Sequence, residues 1–237
     1  MTTAAIVTPE MLAGLPTPVQ RYMNFSGVVG RPLVKSAVVK QTGRIRLGPE
    51  KRWMQFRATE SYSVDPPSFT WDARVGYGRL SFLAVRDSYV DGKGAVRVRL
   101  ANLFQLLKAT GPKMDHSSAV RFLSEVVWFP SAFLGKDFAW TAIDESSAEV
   151  FFTAYGRSVS GRLYFAADGR PTNFVARRYK DVRDSEPLLW STPATANGSF
   201  CGLTLPSRGQ AVWHLESGDF TYIEVQVEEI RYDTSSS

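Results

Sequence analysis

Three acidic side chains stand in surroundings where a carboxylate could transfer a proton. Glu60 interrupts the apolar alternate positions of the stretch WMQFRATESY. Asp72 follows Trp71 inside a second alternating stretch, and Glu125 lies four residues after Arg121. Burial raises the pKa of a carboxyl group, and a raised pKa suits it to general acid–base catalysis near neutral pH. We therefore predict Glu60, Asp72 and Glu125 as catalytic candidates, with Arg121 orienting Glu125.

Each of these acids also has an ordinary interpretation. Glu60 can stand at a strand end and reach solvent or an arginine, and Asp72 can pair with Arg74 or with an arginine of a neighbouring strand. On a helical wheel, Arg121 and Glu125 share the polar side. They form either an exposed i,i+4 pair, which contributes about 0.2–0.5 kcal/mol, or a buried pair beneath the sheet. The sequence leaves both interpretations open.

The aromatic residues point to a cavity. The chain has 6 Trp, 9 Tyr and 15 Phe, more than one β core encloses without either a thick core or an aromatic-lined pocket. We predict a pocket that binds a lipophilic small molecule. The predicted ligand-binding residues are Tyr62, Trp71, Tyr89, Arg121, Trp128, Trp190 and His214. A lone strand histidine such as His214 is also common as a structural residue, and Asp87 either caps a loop or faces the mouth of the pocket.

Composition argues against several other functions. The net charge is +5, but the basic residues are spread along the chain instead of forming the patch that nucleic-acid binding needs. Cys201 is the only cysteine, so an internal disulfide and a thiolate metal cluster are excluded. His116 and His214 lie far apart in sequence, without the spacing of a metal site. We predict no metal site and no nucleic-acid partner.

Cofactor motifs and membrane signals are missing from the sequence too. The glycines do not form a phosphate loop or a dinucleotide fingerprint, and the G-x-S-x-G nucleophile elbow does not occur. We therefore predict no cofactor. The sequence begins without a basic stretch followed by a long apolar run, and no window has the length of a membrane span. The expected location is the cytoplasm, and the oligomeric state stays open.

Period-two alternation runs through most of the chain and predicts about ten strands. Short connections such as DGKG predict hairpins and therefore an antiparallel meander, which curls to protect its edges. The predicted strands span 34–47, 53–62, 69–77, 95–100, 137–143, 148–155, 157–165, 172–180, 210–215 and 219–232. A loop rich in Pro, Ser and Asn is predicted to follow Trp190.

Helical patterns occur at the front and in the middle of the chain. Residues 8–24 predict a short helix, with Thr8 as its cap and Pro9 at its first position, followed by a second helical turn. The stretches 101–111 and 115–130 predict a helical pair, the second capped by Asp115 or Ser117. The fold class is thus mainly β (α+β): a curled antiparallel half-barrel with two or three helices against its concave side.

No composition shift marks a boundary, so we predict a single domain over residues 1–237. Within it, residues 1–30 form an N-terminal helical segment, residues 101–130 form a helical insert, and residues 233–237 form a disordered tail.

Several motifs together resemble a bacterial family of unknown function. Its recurring features are an LPxPVxRY opening, here LPTPVQRY, and an RxLxExxWFP helix, here RFLSEVVWFP. The resemblance covers nearly the whole chain and implies a curled antiparallel sheet similar to the lipoprotein-carrier half-barrels. It implies no activity. The family's motif positions in this chain are Arg21, Tyr22, Trp71, Asp72, Asp87, Tyr89, Arg121, Glu125, Trp128 and Trp213.

Three kinds of function fit these observations. The first is a cofactor-independent enzyme of cyclase, isomerase or hydrolase type, as in natural-product biosynthesis. The second is a non-catalytic binding protein for a lipid or hydrophobic metabolite. The third is an interaction protein with a fully packed barrel, which predicts no cavity of about 300 Å³ or more.

Overall fold

The alternating stretches form antiparallel strands. In the computed structural model, which describes residues 5–78, 80–101 and 103–234, the strand from Met54 to Ser63 buries every second side chain. Within these residues the strands are β1 Ser36–Ile45, β2 Met54–Ser63, β3 Ser68–Tyr77, β4 Leu80–Val90, β5 Lys93–Leu100, β6 Phe104–Thr110, β7 Phe138–Asp144, β8 Ser147–Ala154, β9 Arg157–Phe165, β10 Pro171–Arg178, β11 Leu188–Ser191, β12 Ala194–Phe200, β13 Leu203–Leu215 and β14 Gly218–Asp233.

The strands form one sheet that consists of two meanders. Its order is β6-β5-β4-β3-β2-β1-β14-β13-β11-β10-β9-β8-β7, and β12 pairs with β13. The pairing of β1 with β14 joins the two meanders, and β6 and β7 occupy the two edges. The sheet is large, curled and not closed between these edges in the described part of the chain. The predicted half-barrel is confirmed, with 14 described strands instead of about ten.

Three helices accompany the sheet among the described residues: α1 Pro9–Leu12, α2 Thr17–Ser26 and α3 Pro112–Glu125. Because β6 and β7 lie at opposite edges, the chain between them has to cross one face of the sheet. It does so through α3 and the short 3-10 turns Val126–Trp128 and Pro130–Leu134. Helix α3 packs against β4, β5, β9 and β10. The crossing therefore places the helix in the hollow of the curled sheet.

The helix predicted over 101–111 is wrong, because residues 104–110 form β6, which pairs with β5. The sequence FQLLKA lacks period-two alternation because β6 is an edge strand with exposed apolar residues, including Leu106 and Leu107. Its pairing with β5 overrides the local pattern. The predicted helical insert is thus one strand followed by one helix.

The second helix of the predicted pair exists with different ends. It begins at Pro112 after Gly111, so neither Asp115 nor Ser117 caps it. The Asp115 carboxylate instead accepts the backbone N–H of Gly94 at 2.9 Å and ties the helix to β5. The helix ends at Glu125, five residues before Pro130.

Two other boundaries differ from expectation. The loop predicted after Trp190 contains β12 and the first half of β13, whose pairing is broken by register shifts that hide the alternation. At the front, α1 and α2 confirm the predicted helix and helical turn, although the Thr8 side chain makes no capping hydrogen bond. Residues 1–4 of the predicted N-terminal segment and 235–237 of the predicted tail lie outside the described residues, and Asp233 still pairs with Ser36.

Candidate functional site

The polar side of α3 faces the sheet. The Arg121 guanidinium donates from Nη2 to Glu60 at 2.7 Å, from Nη1 to Asp87 at 2.7 Å and from Nε to Glu125 at 3.0 Å. Only 15% of the Arg121 side chain is exposed, and Glu60 is fully buried. The buried interpretation of the Arg121–Glu125 pair is confirmed. We call Arg121, Glu60, Asp87 and Glu125 the Arg121 cluster.

Neighbouring strands hold the carboxylates in place. Tyr62 Oη donates to Glu125 Oε2 at 3.0 Å, and Gln41 Nε2 donates to Glu60 Oε2 at 3.0 Å. The Trp71 indole N–H in turn donates to Gln41 Oε1 at 2.9 Å. These bonds hold Glu60 and Glu125 by partners on β1 and β2, whereas Asp87 is held by Arg121.

The cluster contains three carboxylates and one guanidinium. Burial raises the pKa of Glu60 well above its usual range; Arg121 opposes this shift and Glu125 adds to it. Burial also raises the pKa of Glu125. For Arg121, burial disfavours the charge, but the surrounding carboxylates outweigh it and raise its pKa. Glu60 and Glu125 titrate as a coupled pair and retain protons to a higher pH than free carboxylates do.

A cavity of about 620 Å³ lies between the concave face of the sheet and α3. Asp87, Arg121 and Glu125 reach it, whereas Glu60 lies behind Arg121 and is not among its lining residues. Most of the lining is apolar or aromatic, including Trp71, Val85, Val98, Trp128, Phe174, Trp190, Ala211, Trp213, Phe220 and Val225. A cavity this large contradicts the hypothesis of a fully packed barrel.

A second arginine, Arg178 on β10, lines the cavity. It is only 8% exposed, and its guanidinium carbon lies 4.7 Å from the Trp190 ring centroid and 5.8 Å from that of Trp213. Burial lowers the pKa of Arg178. Sequence reasoning missed this residue, although two successive arginines in a strand place one side chain on each face; Arg177 is the exposed one.

The structure brings together five of the predicted site residues: Glu60, Tyr62, Trp71, Arg121 and Glu125. Trp128 and Trp190 also line the cavity as expected, and the Trp128 indole N–H donates to the Pro206 carbonyl at 3.0 Å. The remaining three predicted residues lie elsewhere.

Asp72 faces away from the cavity. The alternation that turns Trp71 inward turns Asp72 outward, where its carboxylate accepts two bonds from Arg86 on β4 at 2.6 and 2.9 Å. About half of the Asp72 side chain is exposed. The ordinary interpretation, a pair with an arginine of the neighbouring strand, is the correct one.

Tyr89 is fully buried and is not among the residues that line the cavity. Its ring packs against Phe122, Phe152 and Tyr155. Burial raises the pKa of Tyr89 to about 12. The prediction of Tyr89 as a ligand contact is therefore wrong. Tyr89 is a core residue that packs against α3.

His214 belongs to a hydrogen-bonded chain outside the lining of the cavity. Its Nε2 lies 2.8 Å from Ser191 Oγ, and its Nδ1 lies 2.7 Å from Asp219 Oδ1. The residue types are those of a catalytic triad, but a nucleophile has to be accessible and Ser191 is only 3% exposed. These two hydrogen bonds join β11, β13 and the start of β14, so His214 has a structural role.

Sequence reasoning left Gln41 out of the predicted site and gave Asp87 as either a loop cap or a residue at the mouth of the pocket; the structure places Asp87 in the lining of the cavity. Asp87 pairs with Trp71 across β3 and β4, so the inward face of Trp71 carried the signal for Asp87. Gln41 follows a register shift in the pairing of β1 with β14, and it continues the buried alternate positions Ala37 and Val39, so the alternation of β1 carried its signal. Within the described residues, no three His, Cys, Asp or Glu side chains are placed to hold a metal ion, and no helix is long and apolar enough to cross a membrane.

The fold and the site define a curled β half-barrel with an aromatic-lined cavity above a buried arginine–carboxylate cluster. The chain belongs to the family described as a family of unknown function, DUF6544, whose model matches residues 5–225. This confirms the resemblance seen in the sequence motifs. No curated protein matches the chain.

Solved structures of similar overall shape share little sequence with this chain. A LolA superfamily protein from Nitrosomonas europaea is 12% identical, with a TM-score of 0.47 over 96% of this chain and 94% of that one. A DUF1329 family protein from Desulfovibrio piger is 9% identical, with a TM-score of 0.44 over 94% and 95%. At such values the likeness carries no information about what this chain binds.

Proposed function

We propose that the cavity binds a lipophilic small molecule. The observation that supports this most directly is the cavity itself, about 620 Å³ in volume, with aromatic and aliphatic walls and a few polar side chains. Concave, mostly apolar sites of this size with a small number of fixed polar groups are typical of small-molecule binding. The tryptophans that the sequence singled out, Trp71, Trp128 and Trp190, supply much of the apolar surface.

A cavity-filling substitution tests the proposal. Val225 lines the cavity together with Ile223 and Val227 of the same strand, so the larger side chain of Val225→Trp occupies part of the cavity volume. Gln226→Trp is the matched control, because alternation along β14 turns residue 226 to the other face. We expect an environment-sensitive lipophilic dye to bind the wild type and Gln226→Trp but not Val225→Trp. Equal binding by all three would place the dye elsewhere and refute the proposal.

Native mass spectrometry of the purified protein complements the dye experiment. A retained molecule adds mass to the native protein and is released on denaturation. We expect it to be apolar, and its yield to fall in Val225→Trp. A water-soluble, highly polar molecule retained equally by both proteins would contradict the proposal.

A second candidate function is acid–base catalysis on the bound molecule, of the cyclase, isomerase or hydrolase type. The observation that favours it is Glu125, which lines the cavity and whose pKa is raised by burial. Arg121 and Tyr62 hold its two oxygens, so the carboxyl group is oriented as a proton donor or acceptor requires. Glu60 is buried and does not line the cavity, so it can act on a ligand only through Arg121.

To test this, the molecule released on denaturation is incubated with the wild type, with Glu125→Gln and with the control Asp72→Asn. The products are identified by mass spectrometry. Catalysis predicts conversion by the wild type and Asp72→Asn, with a loss of about 10²–10⁴-fold in Glu125→Gln at unchanged binding. Recovery of the molecule unchanged from every incubation would favour a binding protein without catalysis.

A further inference from the structure

Arg178 is a buried cation that no carboxylate bonds in the described part of the chain; Asp87 and Glu125 act on it only through longer-range attraction. The three carboxylates of the Arg121 cluster bond Arg121 and not Arg178. Among the described residues, no acceptor bonds the buried Nε of Arg178. Its contacts are instead the aromatic faces of Trp190 and Trp213. A buried ion without a partner carries a large desolvation cost, so its presence calls for an explanation.

A guanidinium group cannot relieve this cost by changing its protonation state. Burial lowers the pKa of Arg178, but arginine stays charged in proteins because its intrinsic pKa lies so far above neutrality. Glu60 and Glu125 are different, because burial raises the pKa of both and each can take up a proton. Asp87 Oδ1 also lacks a hydrogen-bond partner among the described residues, but Asp87 Oδ2 accepts from Arg121 at 2.7 Å, so Asp87, unlike Arg178, has a bonded counter-charge.

The charged residues around the cavity also favour an anionic ligand. Among the described residues that line it, the cations Arg46, Arg121 and Arg178 are at least partly buried, the cations Lys180 and Arg208 are exposed, and the carboxylates are Asp87 and Glu125. Both carboxylates are bonded to Arg121. The cationic groups that remain create a positive potential in a low-dielectric cleft, which attracts anions.

We propose that the lipophilic ligand carries one anionic group, a carboxylate or a phosphate, which binds the Arg178 guanidinium while the apolar body fills the cavity. The planar guanidinium offers parallel N–H donors that match both anions. Trp190 and Trp213 hold the guanidinium plane from behind by cation–π contact. The inference rests on the proposed function, since it names the chemical class of the ligand for the same cavity.

The experiment compares three probes of equal chain length: laurate, lauryl phosphate and lauryl alcohol. Affinities are measured by displacement of the lipophilic dye at low and high salt. The variants are Arg178→Gln and the matched control Arg177→Gln, which removes the same charge from the exposed face of the same strand. Hydrogen bonds to charged groups predict that the wild type binds one or both anions about 10- to 100-fold more tightly than the alcohol.

We expect Arg178→Gln to lose this preference and to bind the alcohol as the wild type does, and Arg177→Gln to keep it. The relative affinities of laurate and lauryl phosphate then identify the anion. If the wild type binds the alcohol as tightly as both anions, the anion inference is overturned while lipophile binding stands. If no probe displaces the dye and the dye itself does not bind, lipophile binding fails and the inference fails with it.

A stability measurement separates recognition from a structural role. Because no carboxylate of the described residues bonds Arg178, Arg178→Met should leave the urea midpoint of the ligand-free protein unchanged or move it upward. Added laurate should raise the wild-type midpoint and not that of the variant, as linkage requires. A lowered midpoint in ligand-free Arg178→Met would assign Arg178 to structural support and overturn the proposal.

Discussion

Replacement of Arg121 by methionine is the perturbation with the largest expected effect. The guanidinium bonds three carboxylates at 2.7, 2.7 and 3.0 Å and lies over the Phe69 and Trp71 rings at 4.8 and 5.3 Å. Arg121→Met fills a similar volume but leaves the acids without their cation. Breaking a buried ion pair in this way costs about 3–5 kcal/mol, which lowers the folding equilibrium constant at neutral pH by two to four orders of magnitude.

The chain contains a matched control for this prediction. Arg86 bonds Asp72 with equally short distances, but the two side chains are 58% and 49% exposed. Arg86→Met should therefore cost less than about 1 kcal/mol. Urea unfolding followed by tryptophan fluorescence measures both variants under the same conditions.

Two further measurements test the reason for the loss. The deficit of Arg121→Met should shrink as the pH falls, because the unpaired acids can then take up protons. Combining Arg121→Met with Glu60→Gln, Asp87→Asn and Glu125→Gln should recover most of the lost stability, because no unpaired carboxylate remains in the cluster. If Arg121→Met costs no more than Arg86→Met, the electrostatic account of the cluster is refuted.

Three more predictions concern the cluster and the helix that carries it. Because the pKa of Glu60 is raised in the folded protein, the unfolded chain releases its proton first; stability should fall as the pH rises above about 4.5, by up to about 1.4 kcal/mol per pH unit. Glu60→Gln should reduce this slope in urea titrations between pH 4 and 8 to the part that Glu125 contributes, and an unchanged slope would assign the proton to another group. In Gly94→Ala, the added Cβ would lie 2.3 Å from the Met114 carbonyl oxygen, so α3 must shift, at a cost of roughly 1–3 kcal/mol in unfolding free energy and with weaker dye binding. The control Gly14→Ala, whose added Cβ has no atom within 4 Å, should not change stability. Equal urea midpoints for the two variants would show that α3 shifts without cost. Asp115→Asn removes the charge from the acceptor of the Gly94 N–H and should lower the free energy of unfolding by about 1.5–3 kcal/mol, measured by thermal or urea unfolding. Lys93 bonds the same acid but is 78% exposed, so Lys93→Met should cost under about 1 kcal/mol. Similar losses in both variants would contradict the argument from burial.

The sequence predicts the sheet well because burial alternates strictly in strands such as β2, which have a paired strand on each side and bury one face. Strand β2 and its inward Glu60 follow directly from this pattern. Edge strand β6 and the shifted pairs of β12 do not alternate, so their assignment depends on partners that no local window contains.

The site was predictable in part for a related reason. An acid among apolar alternate positions identified Glu60, and the helical wheel put Arg121 and Glu125 together. Which side of α3 meets the sheet depends on the path of the chain between the two edges, and the sequence does not state that path. Asp72 was misplaced because propensity cannot tell an outward strand residue with an arginine partner from an inward one. The cytoplasmic location stays a prediction.

The pairing of β1 with β14 has a consequence for how the protein is made. It joins residues as distant as Ser36 and Asp233, and contacts of such separation form slowly because a long loop has to close first. During synthesis, β1 pairs with β2 early, but its other edge stays open until β14 leaves the ribosome. An unpaired strand edge is a template for association with other chains. The seam between the two meanders is therefore where a nascent chain is most exposed to aggregation, and where delayed synthesis of β14 would be most harmful.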